Sequence, residues 1–367
     1  EYYFTNRNCA YRVAELLELV TDEDLSSPFK PWVAPQSVLQ SLHQATKNGN
    51  SLISTITYIP SRQSKLYTKF SQLSDNEKNI LRSVIKNDSS ILRSSFTTNS
   101  EKVRIIDTLL DYYRVINKGS DISKHERYSS AIKYRYSLPV GAPRFDMSSE
   151  KSPHMGHKPS YVQVGYKGVN NNRDYRVIRL RPAYYDQLDS GFGHIKGSSL
   201  SMLDTTLSVS DGEVDIEHID ILKIENLYGF STKLPGDDKS AWALRFGATK
   251  MNNDCTDCLG YFAYAGSGYA ISAFDGQVLF NAMGNIGSIG EKPSKDSIFL
   301  EPKLGINIYA SNRLGLLFEL SSRKFLNLGS SQNVYRFMAR YKLAEDFDIR
   351  ASFVSDKSES WEFNLGY

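Results

Sequence analysis

The chain has 367 residues, enough for one large domain or two smaller ones. Its 44 basic and 41 acidic residues give a net charge of +3, and this balance offers no electrostatic case for a nucleic-acid partner. No run of about 18 apolar residues occurs, so the sequence predicts no transmembrane helix, although the alternating strands of a membrane barrel would escape that test.

Residues 1–45 are predicted to contain a short extended stretch and then a helix. From Val13 to Val20, apolar residues recur at helical spacing and share one face. Three prolines between residues 28 and 35 then force an extended connection. The chain starts without an initiator Met, which indicates that the natural protein extends upstream.

Residues 46–140 are predicted to form a helical periplasmic region. Ser74 and Glu77 stand three residues apart before an apolar run, which is the spacing of a capping box at a helix start. The apolar residues between Val103 and Tyr113 fall on one helical stripe, which favours packing against neighbouring helices. Residues 141–159 are rich in Pro and Gly and are therefore predicted to be a linker.

Residues 160–367 alternate between apolar and polar side chains, which is the period of a β-strand. In the last segment Trp361, Phe363 and Leu365 face one way, whereas Glu362 and Asn364 face the other. Segments of this kind predict about twelve strands, which start near residues 161, 174, 198, 213, 240, 259, 277, 298, 313, 333, 346 and 360. Turns are predicted at Asp211-Gly212, Asp275-Gly276 and Glu345-Asp346.

Alternation is also typical of a soluble β-sandwich, but three features favour a membrane barrel. The polar faces mix Arg, Lys, Asp and Glu, which would pair inside a lumen, and aromatic residues recur at strand ends as they do at bilayer interfaces. The chain also stops on Tyr367, with apolar residues at every second position before it. The predicted fold class is α+β with a dominant all-β C-terminal part: an antiparallel transmembrane β-barrel of about twelve strands, preceded by the helical region. An even strand number allows closure without a free edge.

Cys9 follows Asn8 at the start of the first predicted helix. A helix N-terminus favours the thiolate, which is the nucleophilic form of a cysteine. Thiol hydrolases and acyltransferases place their cysteine at such a junction and need a histidine base. The alternative is a small buried core residue. None of the six histidines lies in a recognisable catalytic context, so a base for Cys9 is expected upstream of this chain.

Cys255 and Cys258 form a CxxC motif in a polar stretch. A local disulfide in a turn is the favoured interpretation. A zinc site would need two further ligands. His154 and His157 could supply them in principle, but they lie far from the two cysteines along the chain. The sequence therefore predicts neither a metal nor a cofactor.

The stretch RLRPAYYDQLDSGFGHIKG gathers charged and aromatic residues around a turn. Arg179 and Arg181 stand close to Asp186 and Asp189 in the sequence. Buried Arg–Asp pairing at the base of the barrel would explain this composition. Contact with a substrate or a lipid headgroup is the alternative interpretation.

The stretch YYFTNRNCAYRVAELLELV resembles the motif that closes the Lnb-like periplasmic domain of Gram-negative bacteria. The matching positions are Tyr2 or Tyr3, Phe4, Asn8, Cys9, Tyr11, Leu16, Leu17 and Glu18. In many relatives a helical region and a C-terminal β-barrel-like domain follow, and the stretches Arg181 to Asp189 and Ser240 to Trp242 resemble its motifs. The usual histidine of the first of these is Tyr185 here, which argues against an essential role for that histidine.

The resemblance implies a lipoprotein N-acyltransferase-like protein in which Cys9 is the nucleophile beside Asn8. Residues 1–45 would be the C-terminal end of a papain-like thiol domain, and its histidine would lie before residue 1. The expected function is a thiol acyltransferase or hydrolase, anchored in the outer membrane, that acts on lipid or lipoprotein acyl groups at the periplasmic face. The alternative is a non-enzymatic outer-membrane barrel that binds a periplasmic protein partner or assembly. Outer-membrane lipid is an expected partner in both cases, and a soluble β-rich binding protein is the third hypothesis.

Overall fold

The computed structural model describes residues 8–21, 24–25, 33–47, 49–86, 98–117, 122, 125–141, 145–147, 152–170, 173–189, 194–229, 232–237, 240–250, 258–274, 276–290, 297–356 and 359–367. The chain forms two compact units. The first comprises Glu1–Ile56, Lys151–Gly229 and Ser240–Tyr367, and the second comprises Thr57–Glu150 and Phe230–Lys239. Among the residues described, no helix is both long enough and apolar enough to cross a membrane.

The N-terminal part of the first unit is a pair of helices with a small hairpin. Its elements are α1 (Cys9–Thr21), α2 (Pro35–Gln44), β1 (Thr46–Lys47) and β2 (Asn50–Ser51). Ala10 and Ala14 of α1 are buried against Val33 and Val38. The predicted helix is therefore confirmed. Leu17 packs beside these alanines, whereas Val13, Leu16 and Val20 of the predicted apolar face are exposed.

The second unit is helical. It contains α3 (Arg62–Ser71), α4 (Asp75–Lys86), α5 (Asn99–Ile116) and α6 (Glu126–Tyr136). The predicted capping box before α4 is confirmed, because the Ser74 backbone N–H donates to Glu77 Oε2 at 2.7 Å and the Glu77 N–H donates to Ser74 Oγ at 3.2 Å. Thr98 and Glu101 form the same arrangement at the start of α5. Both boxes satisfy backbone donors that the helix itself leaves free.

Residues 232–237 belong to the second unit and are bound to its helices. Asp237 accepts hydrogen bonds from the Tyr67 hydroxyl at 2.6 Å and from the Thr232 N–H at 2.8 Å. The Tyr112 hydroxyl donates to the Pro235 carbonyl oxygen at 2.7 Å, and Leu234 is fully buried.

The first unit continues as a β-barrel. Its strands are β3 (Tyr161–Val169), β4 (Arg173–Arg181), β5 (Ala183–Tyr185), β6 (Ser198–Ser210), β7 (Glu213–Asn226), β8 (Ala241–Lys250), β9 (Leu259–Ala273), β10 (Val278–Gly290), β11 (Ser297–Tyr309), β12 (Leu314–Phe325), β13 (Ser331–Lys342), β14 (Asp348–Ser355) and β15 (Glu359–Gly366). All pairings are antiparallel, β15 pairs with β3, and β4 pairs with β6, which closes the ring. The short β5 follows Pro182 and prolongs the pairing of β4 with β6. The described part of the chain thus builds a wall of twelve strands, with β5 as a continuation of β4, and this confirms the prediction of about twelve.

The outer face of the barrel is apolar and the inner face is polar. In β15 the outward residues from Trp361 to Tyr367 are 41–58% exposed, whereas the inward Asn364 is 7% exposed. We call the end where β3 begins and β15 ends the terminal end. Aromatic rings meet near both ends of the outer face: Phe347 lies 4.9 Å from Tyr367 at the terminal end, and Tyr166 lies 5.5 Å from Trp361 toward the opposite end.

The hairpin between β6 and β7 turns at Asp211 and Gly212, as predicted. Their φ angles are +53° and +86°. Positive φ at both central residues is the signature of a type I′ turn, which matches the twist of the flanking strands and favours Asp-Gly. The predicted turn at Asp275 lies outside the described residues.

Candidate functional site

Residues 186–189 turn into the lumen at the terminal end, directly after β5, and we call them the inward segment. Pro182 precedes them, and its missing N–H interrupts the strand ladder. Gln187 contacts both sides of the lumen: its Nε2 donates to Glu225 on β7 at 2.9 Å, and its Oε1 accepts from Asn307 Nδ2 on β11 at 3.2 Å. Gln187 and Leu188 are each 4% exposed. The inward segment therefore occupies the terminal end of the lumen.

Buried ion pairs hold the inward segment to the wall. Asp186 accepts from Arg181 Nη1 at 2.9 Å and also from Arg350. Asp189 Oδ1 lies 3.1 Å from Arg340 Nη1. These contacts confirm the predicted Arg–Asp pairing at the base of the barrel, and charge-assisted pairs of this kind are stronger than neutral hydrogen bonds.

A carboxylate of the barrel wall, Asp204 on β6, lies beside these ion pairs. Arg179 binds Asp204 with two hydrogen bonds, at 2.7 and 2.8 Å, and Arg181 Nε donates to the same carboxylate at 3.1 Å. Arg181 therefore bridges Asp204 of the wall and Asp186 of the inward segment.

His157 connects the chain before the barrel to the inward segment. Its Nε2 lies 3.0 Å from Asp189 Oδ2 and its Nδ1 lies 2.6 Å from the Lys158 carbonyl oxygen. A carboxylate and a carbonyl oxygen are both acceptors, so this geometry favours the imidazolium, in which both ring nitrogens carry hydrogen. Burial acts to lower the pKa of His157, but the Asp189 carboxylate outweighs burial and raises that pKa above its ordinary value. The sequence suggests His157 only as a possible zinc ligand and does not predict this contact, because Asp189 lies 32 residues further along the chain.

The middle of the lumen is filled by a network of four charged groups. Lys303 Nζ on β11 lies 3.0 Å from Glu225 Oε1 on β7 and 3.0 Å from Glu319 Oε1 on β12. Arg336 on β13 donates to the other oxygen of Glu319 at 2.8 Å. Three strands separate β7 from β11 along the wall, so the contact between Lys303 and Glu225 crosses the lumen.

Toward the opposite end, charge pairs continue along the lumen. Lys167 on β3 lies 2.8 Å from Glu217 on β7, and these strands are not neighbours either. Arg323 lies 2.9 Å from Glu301 and stacks over the Phe299 ring at 4.5 Å. The arrangement resembles a polar protein core more than an aqueous channel.

Residues 150–367 match a family model described as Domain of unknown function (DUF7840). The chain belongs to the DUF7840 family. No curated protein matches it. Similar solved structures include the KdgM porin, the NanC porin and outer-membrane expressed OmpT of Vibrio cholerae, and each comparison covers 56% of this chain. The sequence identities are 10%, 10% and 9%, and the shares of those chains that are covered are 98%, 97% and 95%. The TM-scores are 0.35, 0.34 and 0.30. At these TM-scores the likenesses carry no argument about function.

The DUF7840 match does not extend to the residues before 150, so the resemblance to the Lnb-like domain rests on the sequence motif alone. Cys9 is the first residue of α1 and its thiol is free and exposed, so it is not a core residue. The Asn8 side chain accepts from the Tyr11 N–H at 3.1 Å and donates to the Val33 carbonyl oxygen at 2.7 Å. Asn8 therefore caps α1, and catalytic roles for Cys9 and Asn8 stay predictions.

The other predicted site elements have different outcomes. Cys255 lies outside the described residues, so its disulfide with Cys258 stays a prediction. Within the described ranges, no group of three or more His, Cys, Asp or Glu side chains is arranged to hold a metal ion. His154 stacks on His43 with 4.0 Å between ring centroids, whereas His157 pairs with Asp189.

Helix α2 contacts the segment that precedes the DUF7840 barrel. Gln36 Nε2 donates to the His157 carbonyl oxygen at 2.8 Å, and Gln40 Nε2 donates to the Gly156 carbonyl oxygen at 2.9 Å. A continuous chain of contacts thus runs from α2 through His157 to Asp189 and the arginines of the wall.

Proposed function

We propose that this protein lies in the outer membrane of a Gram-negative bacterium, where its barrel is a non-conducting scaffold. In this proposal the terminal end faces the periplasm and presents the residues before the barrel to a periplasmic protein partner or assembly. The observation that carries the proposal is the Lys303–Glu225 contact, which crosses a lumen whose terminal end already holds the inward segment. In this proposal these contacts close the lumen to ions.

The outer face supports the membrane location. From Trp361 to Tyr367 every second residue is apolar and exposed. At about 3.4 Å per residue this band is roughly 20 Å long, and the usual strand tilt of about 40° makes its height roughly 15 Å, which fits within the apolar band of about 25 Å in outer-membrane barrels. The aromatic pairs near its two ends correspond to the girdles at the two bilayer interfaces.

Two measurements test this function. Purified protein in planar lipid bilayers is expected to give no stable conductance steps, with an open porin reconstituted in parallel as the control. Membrane extraction is expected to need detergent. Stable conductance steps would overturn the scaffold proposal, and release by salt alone would overturn the membrane location.

A thiol acyltransferase or hydrolase of the Lnb-like type is the second candidate, with lipid or lipoprotein acyl groups as substrates. The exposed thiol of Cys9 at the start of α1 favours it, since a helix N-terminus favours the nucleophilic thiolate. A thiol-reactive acyl probe is expected to label wild type and not Cys9→Ser. Absence of labelling, with unchanged activity in Cys9→Ser, would exclude this candidate.

A further inference from the structure

The wall at the terminal end of the lumen carries more positive than negative charge. Among the described residues that pair there, the cationic groups are Arg179, Arg181, Arg340 and Arg350, and the wall carboxylates are Asp204 and Asp348. Arg340 and Arg350 are direct cross-strand partners, which is an unfavourable position for two like charges. The wall therefore holds an excess of at least two positive charges.

The inward segment supplies the two missing negative charges. Asp186 binds Arg181 and Arg350, and Asp189 binds Arg340. Both carboxylates also face the Arg350 guanidinium, Asp186 at Nη1 and Asp189 Oδ1 at 3.7 Å from Nη2, so the two carboxylates lie close together, as in a small dicarboxylate. Each of the three arginines is 5% exposed and is directed at a carboxylate that belongs to no wall strand.

A recess at the terminal end reaches one of these arginines, Arg340. His157, Tyr184 and Asp348 also line it. Tyr184 is 3% exposed, and its hydroxyl has no hydrogen-bond partner among the described residues. Its ring lies under Arg181, with 3.9 Å from the guanidinium carbon to the ring centroid. The recess thus combines a buried free hydroxyl, a rigid aromatic surface and cationic groups.

We propose that this part of the lumen is a binding site for a solute with two carboxylate groups, which Asp186 and Asp189 occupy as an internal ligand. A dicarboxylate would enter from the terminal end, displace the inward segment and pair with Arg181, Arg340 and Arg350. The Tyr184 hydroxyl would donate to it. This site goes beyond the scaffold function. It is closed at its inner end, because the Lys303–Glu225 contact lies further inside the lumen.

The test compares charge removal with steric displacement. In Asp186→Asn/Asp189→Asn the internal ligand loses its charge. In Gly315→Val the charges stay, but the new side chain meets the Leu188 carbonyl oxygen, which would lie 2.7 Å from a Cβ at Gly315. The matched controls are Asp211→Asn in an exposed turn and Gly284→Val, where a Cβ meets no atom closer than 3.9 Å. Calorimetric titration of detergent-purified protein with succinate measures binding.

We expect both test variants to bind succinate at least tenfold more tightly than wild type and both controls to match wild type. Adding Arg340→Gln to the double variant is expected to remove the gain, and acetate is expected to bind weakly. A folded double variant or Gly315→Val with no gain would overturn the proposal, as would a gain that survives Arg340→Gln or equal binding of acetate.

Hydrogen–deuterium exchange tests the same proposal on the wild-type protein, so this test does not depend on the folding of a variant. The Leu188 N–H donates to Asp186 Oδ1 at 3.0 Å in the inward segment. Saturating succinate is expected to speed hydrogen–deuterium exchange in residues 186–189, relative to sodium chloride of equal ionic strength. Unchanged exchange would overturn the proposal. Bilayer conductance is expected to stay absent in succinate, so failure of the scaffold proposal would be seen separately.

Discussion

Lys303 on β11 reaches Glu225 on β7 across the lumen, and its Nζ lies 3.0 Å from Glu225 Oε1. The same ammonium lies 3.0 Å from Glu319 Oε1. Since three strands separate β7 from β11 along the wall, the pair connects opposite sides of the barrel. All three side chains are buried, and removal of the ammonium would leave Glu225 paired with Lys223 alone and Glu319 paired with Arg336 alone.

We expect Lys303→Met to lower the free energy of unfolding by about 3–5 kcal/mol, the usual cost of breaking a buried ion pair from one side. Denaturant unfolding in micelles, followed by the change in electrophoretic migration, measures this loss. Lys324→Met is the matched control, because Lys324 is exposed on β12, and a change within about 0.5 kcal/mol is expected there. Equal stability of Lys303→Met and wild type would contradict the bridging role.

The outward position of Phe363 gives a test of the membrane location. Phe363 is 56% exposed on β15 and lies between Trp361 and Tyr367, so its side chain faces the middle of the apolar band. Phe363→Arg is expected to destabilise the folded barrel in lipid vesicles by about 2–4 kcal/mol, because a charge then faces hydrocarbon. Asp211→Arg, in the exposed hairpin turn, is the control. A soluble barrel would tolerate both changes equally.

The imidazolium of His157 predicts a pH dependence of stability. Its pKa is raised by Asp189 against the effect of burial, so its contribution is complete below the unfolded pKa of about 6.5 and is lost as pH rises through the folded pKa. Arg340, Tyr184 and His194 also face this ring, and Arg340 and Tyr184 do not change charge near neutral pH. We therefore expect the stability difference between wild type and His157→Gln to shrink as pH rises above about 6.5.

His154→Gln is the control for this titration. Burial and then the nearby His43 lower the pKa of His154, so its protonation opposes folding. The difference between wild type and His154→Gln should change in the opposite direction, falling as pH falls. Thermal unfolding followed at several pH values measures both differences. A pH-independent difference for His157→Gln would contradict the imidazolium assignment.

The sequence predicts the strands well because the signal for them is local. The predicted starts at 161, 198, 213 and 259 coincide with β3, β6, β7 and β9, since alternation places each side chain on one face without reference to any partner. The region around 200–230 is less regular in sequence for a structural reason. The register between β6 and β7 shifts between Thr206 and Leu207, and the register between β7 and β8 shifts between Asp220 and Leu222. At each shift β7 has an extra residue, so the alternation of lumen-facing and outward-facing residues along β7 is reversed.

The site is less predictable because its contacts depend on closure of the barrel. The Arg–Asp pairing near residues 179–189 is visible in sequence, since those residues are close along the chain. The Lys303–Glu225 contact joins residues 78 apart, and only the curvature of the wall brings them together. His157 stands in a segment rich in Pro and Gly, where no periodicity indicates that its ring would meet Asp189.

Asp237 gives the last prediction, on the helical unit. Its carboxylate accepts from the Tyr67 hydroxyl and from both the N–H and the hydroxyl of Thr232, and it is 5% exposed. Asp237→Ala would leave these buried donors without that acceptor, which costs about 1–3 kcal/mol for each unsatisfied group. We expect faster proteolysis within residues 57–150 and an earlier loss of helical circular dichroism on heating.

The control for Asp237→Ala is Asp75→Ala, since the Asp75 side chain is fully exposed at the start of α4. Its expected cost is below about 1 kcal/mol, the usual size of a charge effect at a helix N-terminus. Heat-modifiable migration of the barrel should stay unchanged in Asp237→Ala if residues 232–237 serve the helical unit alone. A variant that unfolds its helices no earlier than Asp75→Ala would show that the carboxylate of Asp237 does not hold this segment in place.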